Sequence, residues 1–146
     1  MQEPPLWLDI EFVPKHNGLM PLVRISLLEG KQESYLQKVS DAVHRAMVET
    51  IAVPPQDRFQ VITEHAKSHF IYDPDYLNIR RSDDLVIIQI TLNQGRGTEL
   101  KKVLYKRIAE LLHQAVNLRK EDVLVNLVEV AKENWSFGNG EAQYAT

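Results

Sequence analysis

The sequence predicts an α/β fold of the α+β kind, in which two β–α–β units form a four-stranded sheet with two helices on one face. Three observations carry that prediction. The two halves of the chain align with each other without a gap. Each half sets two short β-rich runs around a long amphipathic stretch. Two units of this kind bring too few helices to cover both faces of a sheet. The chain has 146 residues, 44% of them hydrophobic and 25% charged, which suits one globular domain with one core.

The internal repeat is read first. A shift of 65 positions (87 − 22) lays "LVRISLLEG" (22–30) on "IIQITLNQG" (87–95), so that Ile25 meets Ile90 and Gly30 meets Gly95. The same shift sets Val43 on Ile108, Met47 on Leu112 and Ile51 on Val116. It then sets "DRFQVITE" (57–64) on "DVLVNLVE" (122–129), with Asp57 on Asp122 and Glu64 on Glu129. Identities are few, and the unbroken register is the stronger signal.

The elements follow in order. Residues 1–20 form an N-terminal extension in which Leu6, Leu8, Ile10 and Phe12 alternate, as an added one-sided strand does. Residues 21–146 form the domain, with pseudo-repeats at about 21–65 and 86–130. Residues 22–28 and 85–92 read as strands with apolar residues on both faces, as strands buried on both sides carry. A first helix is expected over 33–51, with Leu36, Val39, Val43, Ala46, Met47 and Thr50 on one stripe. Ser34 is its expected cap. Pro54 and Pro55 stop it, because proline cannot continue a helix. A second helix is expected over 98–116, capped by Thr98, with Val103, Leu104, Ile108, Leu111, Leu112 and Ala115 inward. Strands follow at about 58–64 and 122–129. Between the halves, Asp73-Pro74-Asp75 marks a turn. The ending "KENWSFGNGEAQYAT" reads as an arm or short hairpin packed on a neighbour, its aromatics serving as packing anchors.

Crossovers of one hand place both helices on one face of the sheet. The other face then needs a cover, and a second copy of the chain is the simplest one. A closed homo-oligomer is therefore expected.

Composition excludes several classes. The formal charge is −3, and no long basic run is present, which argues against nucleic acid. The chain has no cysteine, so thiolate catalysis, disulfides and cysteine–zinc sites are ruled out. "EHAKSH" (64–69) holds Glu64, His65 and His69 but lacks the order of a zinc-protease helix, and no metal or other cofactor is expected. No apolar run reaches the roughly 20 residues of a membrane span. The first residues do not form a secretory signal, and the expected compartment is the cytoplasm.

Four stretches carry a family resemblance: Met20-Pro21 at the start of the first strand, "VPPQDRFQVITEH" (53–65), "SDDLVIIQITL" (82–92) and "NWSFGNGEAQ" (134–143). With them the chain resembles the tautomerase superfamily, and within it the malonate semialdehyde decarboxylase-like group. The resemblance implies two β–α–β units per chain assembled as a trimer. It also implies removal of the methionine, so that Pro21 becomes an N-terminal secondary amine. A free α-amino group titrates near pH 8, and burial or nearby cations lower that value. Such an amine serves as a base at neutral pH, or as an acid if it stays charged. An internal proline nitrogen is an amide and does neither.

Pro21 falls on the family's catalytic proline, and Asp57 on the acid that activates a water or hydrogen-bonds that proline. The family's usual arginine pair falls on Asn93 and Gly95 here, and Arg96 is the nearest substitute for binding a substrate carboxylate. The implied partner is a small carboxylate-bearing enol or 3-oxo acid, processed by keto–enol tautomerisation or by decarboxylation. The alternative is a catalytically silent oligomer in which the N-terminal extension blocks Pro21. Asp57 alone also suits a structural turn before a strand, a role its repeat mate Asp122 favours. Arg80 and Arg81 read as a surface or intersubunit pair.

Overall fold

The computed structural model describes residues 20–145. The extension, including the alternating Leu6–Phe12 segment, lies outside the described residues except for Met20. The elements are β1 (Leu22–Leu28), α1 (Glu33–Ile51), β2 (Phe59–His65), β3 (Val86–Asn93), α2 (Thr98–Val116) and β4 (Val123–Val130). The sheet order is β2-β1-β3-β4. Each β–α–β unit is parallel, and the two units meet at an antiparallel β1–β3 pair, with Leu22 opposite Thr91 and Ile25 opposite Ile88.

Both helices pack on one side of the sheet and against each other. Val23, Ile25, Leu27, Ile88, Ile90 and Leu92 point into this layer and are at most 2% exposed. Val39, Val43 and Met47 of α1 meet them there with Leu104, Ile108 and Leu112 of α2. Burying each such side chain contributes about 1.5–3 kcal/mol.

The repeat extends to backbone detail. Gly30 and Gly95 take φ of +115° and +128° at the two strand-to-helix turns, a conformation open to glycine and costly for other residues. The helices end on left-handed Ala52 and Asn117, which occupy matching positions. The Glu29 N–H donates to the His65 carbonyl at 2.9 Å, and the Gln94 N–H to the Val130 carbonyl at 3.0 Å. Each final strand runs into a one-turn 3₁₀ helix, Lys67–His69 in one half and Lys132–Asn134 in the other.

Several expectations are corrected. Ser34 and Thr98 do not cap the helices. The caps are Gln32 and Gly97, which make no side-chain capping bond, and both serine and threonine already lie inside the first turn. Val103 is half exposed, and Ala115 faces outward; the inward stripe of α2 is narrower, carried by Leu104, Ile108, Leu111 and Leu112. The strands are not apolar on both faces. The side away from the helices has a polar centre of Arg24, Gln89 and Asn126, with Gln89 Nε2 donating to Asn126 Oδ1 at 3.1 Å. Its most exposed apolar residues, Phe59, Val61 and Val128, sit on the outer strands and are 37–50% exposed, while Leu22, Leu28 and Ile87 flank the polar centre on the inner strands.

Candidate active site

Pro21 is buried one residue ahead of β1. Continuing the strand registers places Arg58 on one side of it and Leu92 on the other. The backbone around Pro21 is thus flanked by the loop entering β2 and by the end of β3. Those two segments carry the other two residues singled out from sequence.

Asp57 closes a turn with its N–H on the Pro54 carbonyl at 2.9 Å, and it is 5% exposed. Its neighbour Arg58 is directed away, binding Ser40 Oγ at 2.6 Å and Asp41 at 2.7 Å on α1. Asp57 acts electrically on Tyr144 of the C-terminal segment. Burial raises the Tyr144 phenol above its ordinary range and the Asp57 charge adds to that, against a hydrogen bond with the Met20 backbone. The phenol is therefore neutral near pH 7.

On the β3 side, Arg96 lies in the turn before α2. Its Nη1 donates to the Asn93 carbonyl at 2.9 Å. Burial lowers the guanidinium below its usual range, opposed by the Glu129 charge; an arginine stays cationic all the same. Glu129 pairs with Lys101 and accepts from the Gly95 backbone, and both contacts hold its carboxyl below the usual range. The turn bearing Arg96 is thereby fixed to the end of β4.

The C-terminal segment completes the site. Within the chain it folds back toward the end of β3. Trp135 Nε1 donates to Asn93 Oδ1 at 2.7 Å. The Trp135 and Phe137 rings stack with centroids 5.1 Å apart, and Tyr144 meets Phe137 edge-on at 4.7 Å. Gln143 clasps the segment by accepting from the Phe137 N–H and donating to the Gly138 carbonyl. Pro21, Leu22, Phe59, Trp135, Ser136 and Phe137 line a cavity of about 230 Å³. The tail aromatics pack on one another, as expected of anchors, and Trp135 and Phe137 in addition form the wall facing Pro21. The signal was present: two aromatics two positions apart within the family-like ending.

Two larger hollows, about 310 and 360 Å³, open beside Lys38 and Ala115 on the helix layer. Neither touches Pro21, Asp57 or Arg96. The smaller, mostly apolar hollow is the one lined by Pro21, and it suits a small organic ligand; Asp57 and Arg96 lie on the segments either side of Pro21 and are not among the hollow's lining residues. Arg80 and Arg81 stand apart: Arg81 binds the carbonyls of Tyr76 and Ile79, and the Arg80 carbonyl accepts from Arg119. Among the described residues, no group of three or more His, Cys, Asp or Glu side chains is placed to hold a metal, and no helix is long and apolar enough to cross a membrane.

Comparison with known proteins agrees with this fold. Two family models described as tautomerase enzyme match the chain, one over residues 57–138 and the other over residues 21–80. The Bacillus subtilis (strain 168) protein named "Probable tautomerase YusQ" is 50% identical over 124 residues, covering 85% of this chain and 98% of its own length. A solved malonate semialdehyde decarboxylase inhibited by 3-bromopropiolate is 37% identical, with a TM-score of 0.78 over 84% of this chain and 93% of that one. A fused 4-OT symmetric trimer shares the fold at 20% identity, with a TM-score of 0.70 over 85% of this chain and 97% of that one.

Proposed function

The chain belongs to the tautomerase family, and on that premise we propose that it is an enzyme whose Pro21, once exposed as the N-terminus, transfers protons on a small carboxylate-bearing enol or 3-oxo acid. The observation that carries this reading is the position of Pro21, buried and lining the aromatic-walled cavity. Burial against a low-dielectric wall disfavours the charged form of a free amine. As a base it removes a proton from the enol oxygen or from the carbon beside the carbonyl; as an acid it returns one. Asp57, on the flank of Pro21, orients the amine or a water. Arg96 binds the carboxylate, held in place by the Asn93 carbonyl.

The reaction is keto–enol tautomerisation or a malonate semialdehyde-type decarboxylation. The second is supported by the 37% identity to a malonate semialdehyde decarboxylase. It is weakened by Asn93 and Gly95, which stand where that group carries its arginine pair. The active assembly in this reading is a trimer, supported by the trimeric 4-OT neighbour and by the sheet face that no helix among the described residues covers.

One observation favours a second reading. In the chain as written Pro21 follows Met20 through a peptide bond, so its nitrogen is an amide. A chain that keeps its extension is then a silent oligomer of the same fold. N-terminal sequencing and intact mass of the protein from its natural source test the two. Pro21 as the first residue supports the enzyme; a uniform chain with residues 1–20 in place supports the silent oligomer.

A further inference from the structure

The two halves of the chain differ where their matching residues meet at the strand ends. At one end stand Pro21, Asn93 and Trp135. At their repeat positions stand Val86, Leu28 and Phe70. The backbone is the same at both: Trp135 and Phe70 each terminate the matching 3₁₀ turn in extended conformation. In the half with Val86, the aromatic is buried and meets the rings of His65 and Tyr72, with centroids 5.6 and 6.3 Å away. In the half with Pro21, the aromatic is an indole, and its N–H is bonded at 2.7 Å to Asn93 Oδ1. The fold thus accepts leucine and phenylalanine at these places. The amide–indole pair answers a need that exists only beside Pro21.

Asn93 also holds the other side of the site. Its backbone carbonyl accepts from Arg96 Nη1 at 2.9 Å, and its residue is 5% exposed. One residue therefore joins the aromatic wall to the guanidinium. Its strand position fixes it firmly, since Asn93 pairs with Val130 at the end of the β3–β4 ladder.

We propose that Asn93 is a positioning residue, which sets Trp135 over the cavity at Pro21 and thereby fixes where the apolar part of a substrate lies relative to Arg96. It touches no reacting atom. The inference rests on the proposed function only in taking this cavity as the active site.

The test uses the full chain labelled with ¹⁵N-tryptophan. Its two indoles, Trp7 and Trp135, are told apart with Trp7→Phe. The Trp135 indole proton is expected to exchange slowly with water. Asn93→Leu, which copies Leu28, should speed that exchange about tenfold or more, as loss of a part-buried hydrogen bond does. Asn93→Asp keeps an acceptor oxygen at the same place and should preserve slow exchange. In whichever form of the chain turns over substrate, Asn93→Leu should raise KM about tenfold with kcat within threefold, and should add nothing in a Trp135→Phe background. Equal exchange in Asn93→Leu and parent overturns the proposal, whatever the activity. So does a KM effect that persists in full without the indole, or a loss confined to kcat. A chain without turnover leaves the exchange measurement to decide alone.

Discussion

Asp57 and Asp122 occupy the same repeat position and face different surroundings, which separates their roles. Asp122 is fully buried and accepts from the Ser82 N–H at 2.6 Å and Ser82 Oγ at 2.7 Å. It holds the connector between the halves. Asp122→Ala leaves both donors short of their acceptor and should cost about 2–4 kcal/mol in chemical denaturation. Asp57 sits beside Tyr144 and the start of β1. Asp57→Asn should leave the melting temperature nearly unchanged and remove most activity in a chain beginning at Pro21; turnover within a factor of two of the parent would make Asp57 a structural residue like its mate. Arg96→Ala should weaken binding of an acid substrate roughly ten- to a hundredfold, since a charge-assisted contact is worth about 1.5–3 kcal/mol. A rise in KM with little change in kcat checks it. At this scale the sequence offered Pro21, Asp57 and Arg96 through the motif positions of the resemblance, and of these Pro21 lines the cavity. It did not show the Asn93–Trp135 bond, because 42 positions separate the partners and neither residue type alone implies the other.

At the scale of the elements, the helices were legible to the residue, and the strands to within one. The reason is punctuation: Gly30 and Gly95 open each helix region, and Pro54-Pro55 closes the first. Caps were not legible. A nearby hydroxyl is the usual sign of a cap, but here the tight glycine turn sets the start, and Glu33 and Glu99 load the first turns instead, where carboxylates suit the helix dipole. The C-terminal ends give a direct prediction. Ala52 holds φ of +57° in the position that Asn117 fills in the second half. A Cβ is strained there, so Ala52→Gly should stabilise the chain by about 1 kcal/mol, seen as a higher urea midpoint with unchanged slope. An equal or lower midpoint would mean that the added chain entropy of glycine outweighs the relieved strain.

For the whole molecule, the repeat and the uncovered face were readable, while the composition of that face was not. Period-two runs such as "LVRISLL" and "VIIQITL" look apolar throughout, yet register aligns Arg24, Gln89 and Asn126 into one polar row. A partner on this face therefore meets apolar margins around a polar centre. The proposed trimer predicts about three times the 16.8 kDa chain mass in sedimentation at micromolar concentration; a monomer would remove the assembly from the account. The central claim concerns Pro21, whose repeat position holds Val86, so that the fold itself does not require proline there. The most direct measurement compares the rate of phenylenolpyruvate ketonisation, with malonate semialdehyde as second substrate, for the full chain and for a chain started at Met20 and freed of the methionine. The account predicts turnover only with the exposed amine, following one group that titrates in the neutral to mildly alkaline range, rising with pH if the amine is the base and falling if it is the acid. Equal turnover by both chains would contradict it, because the Pro21 nitrogen would then not be the catalyst.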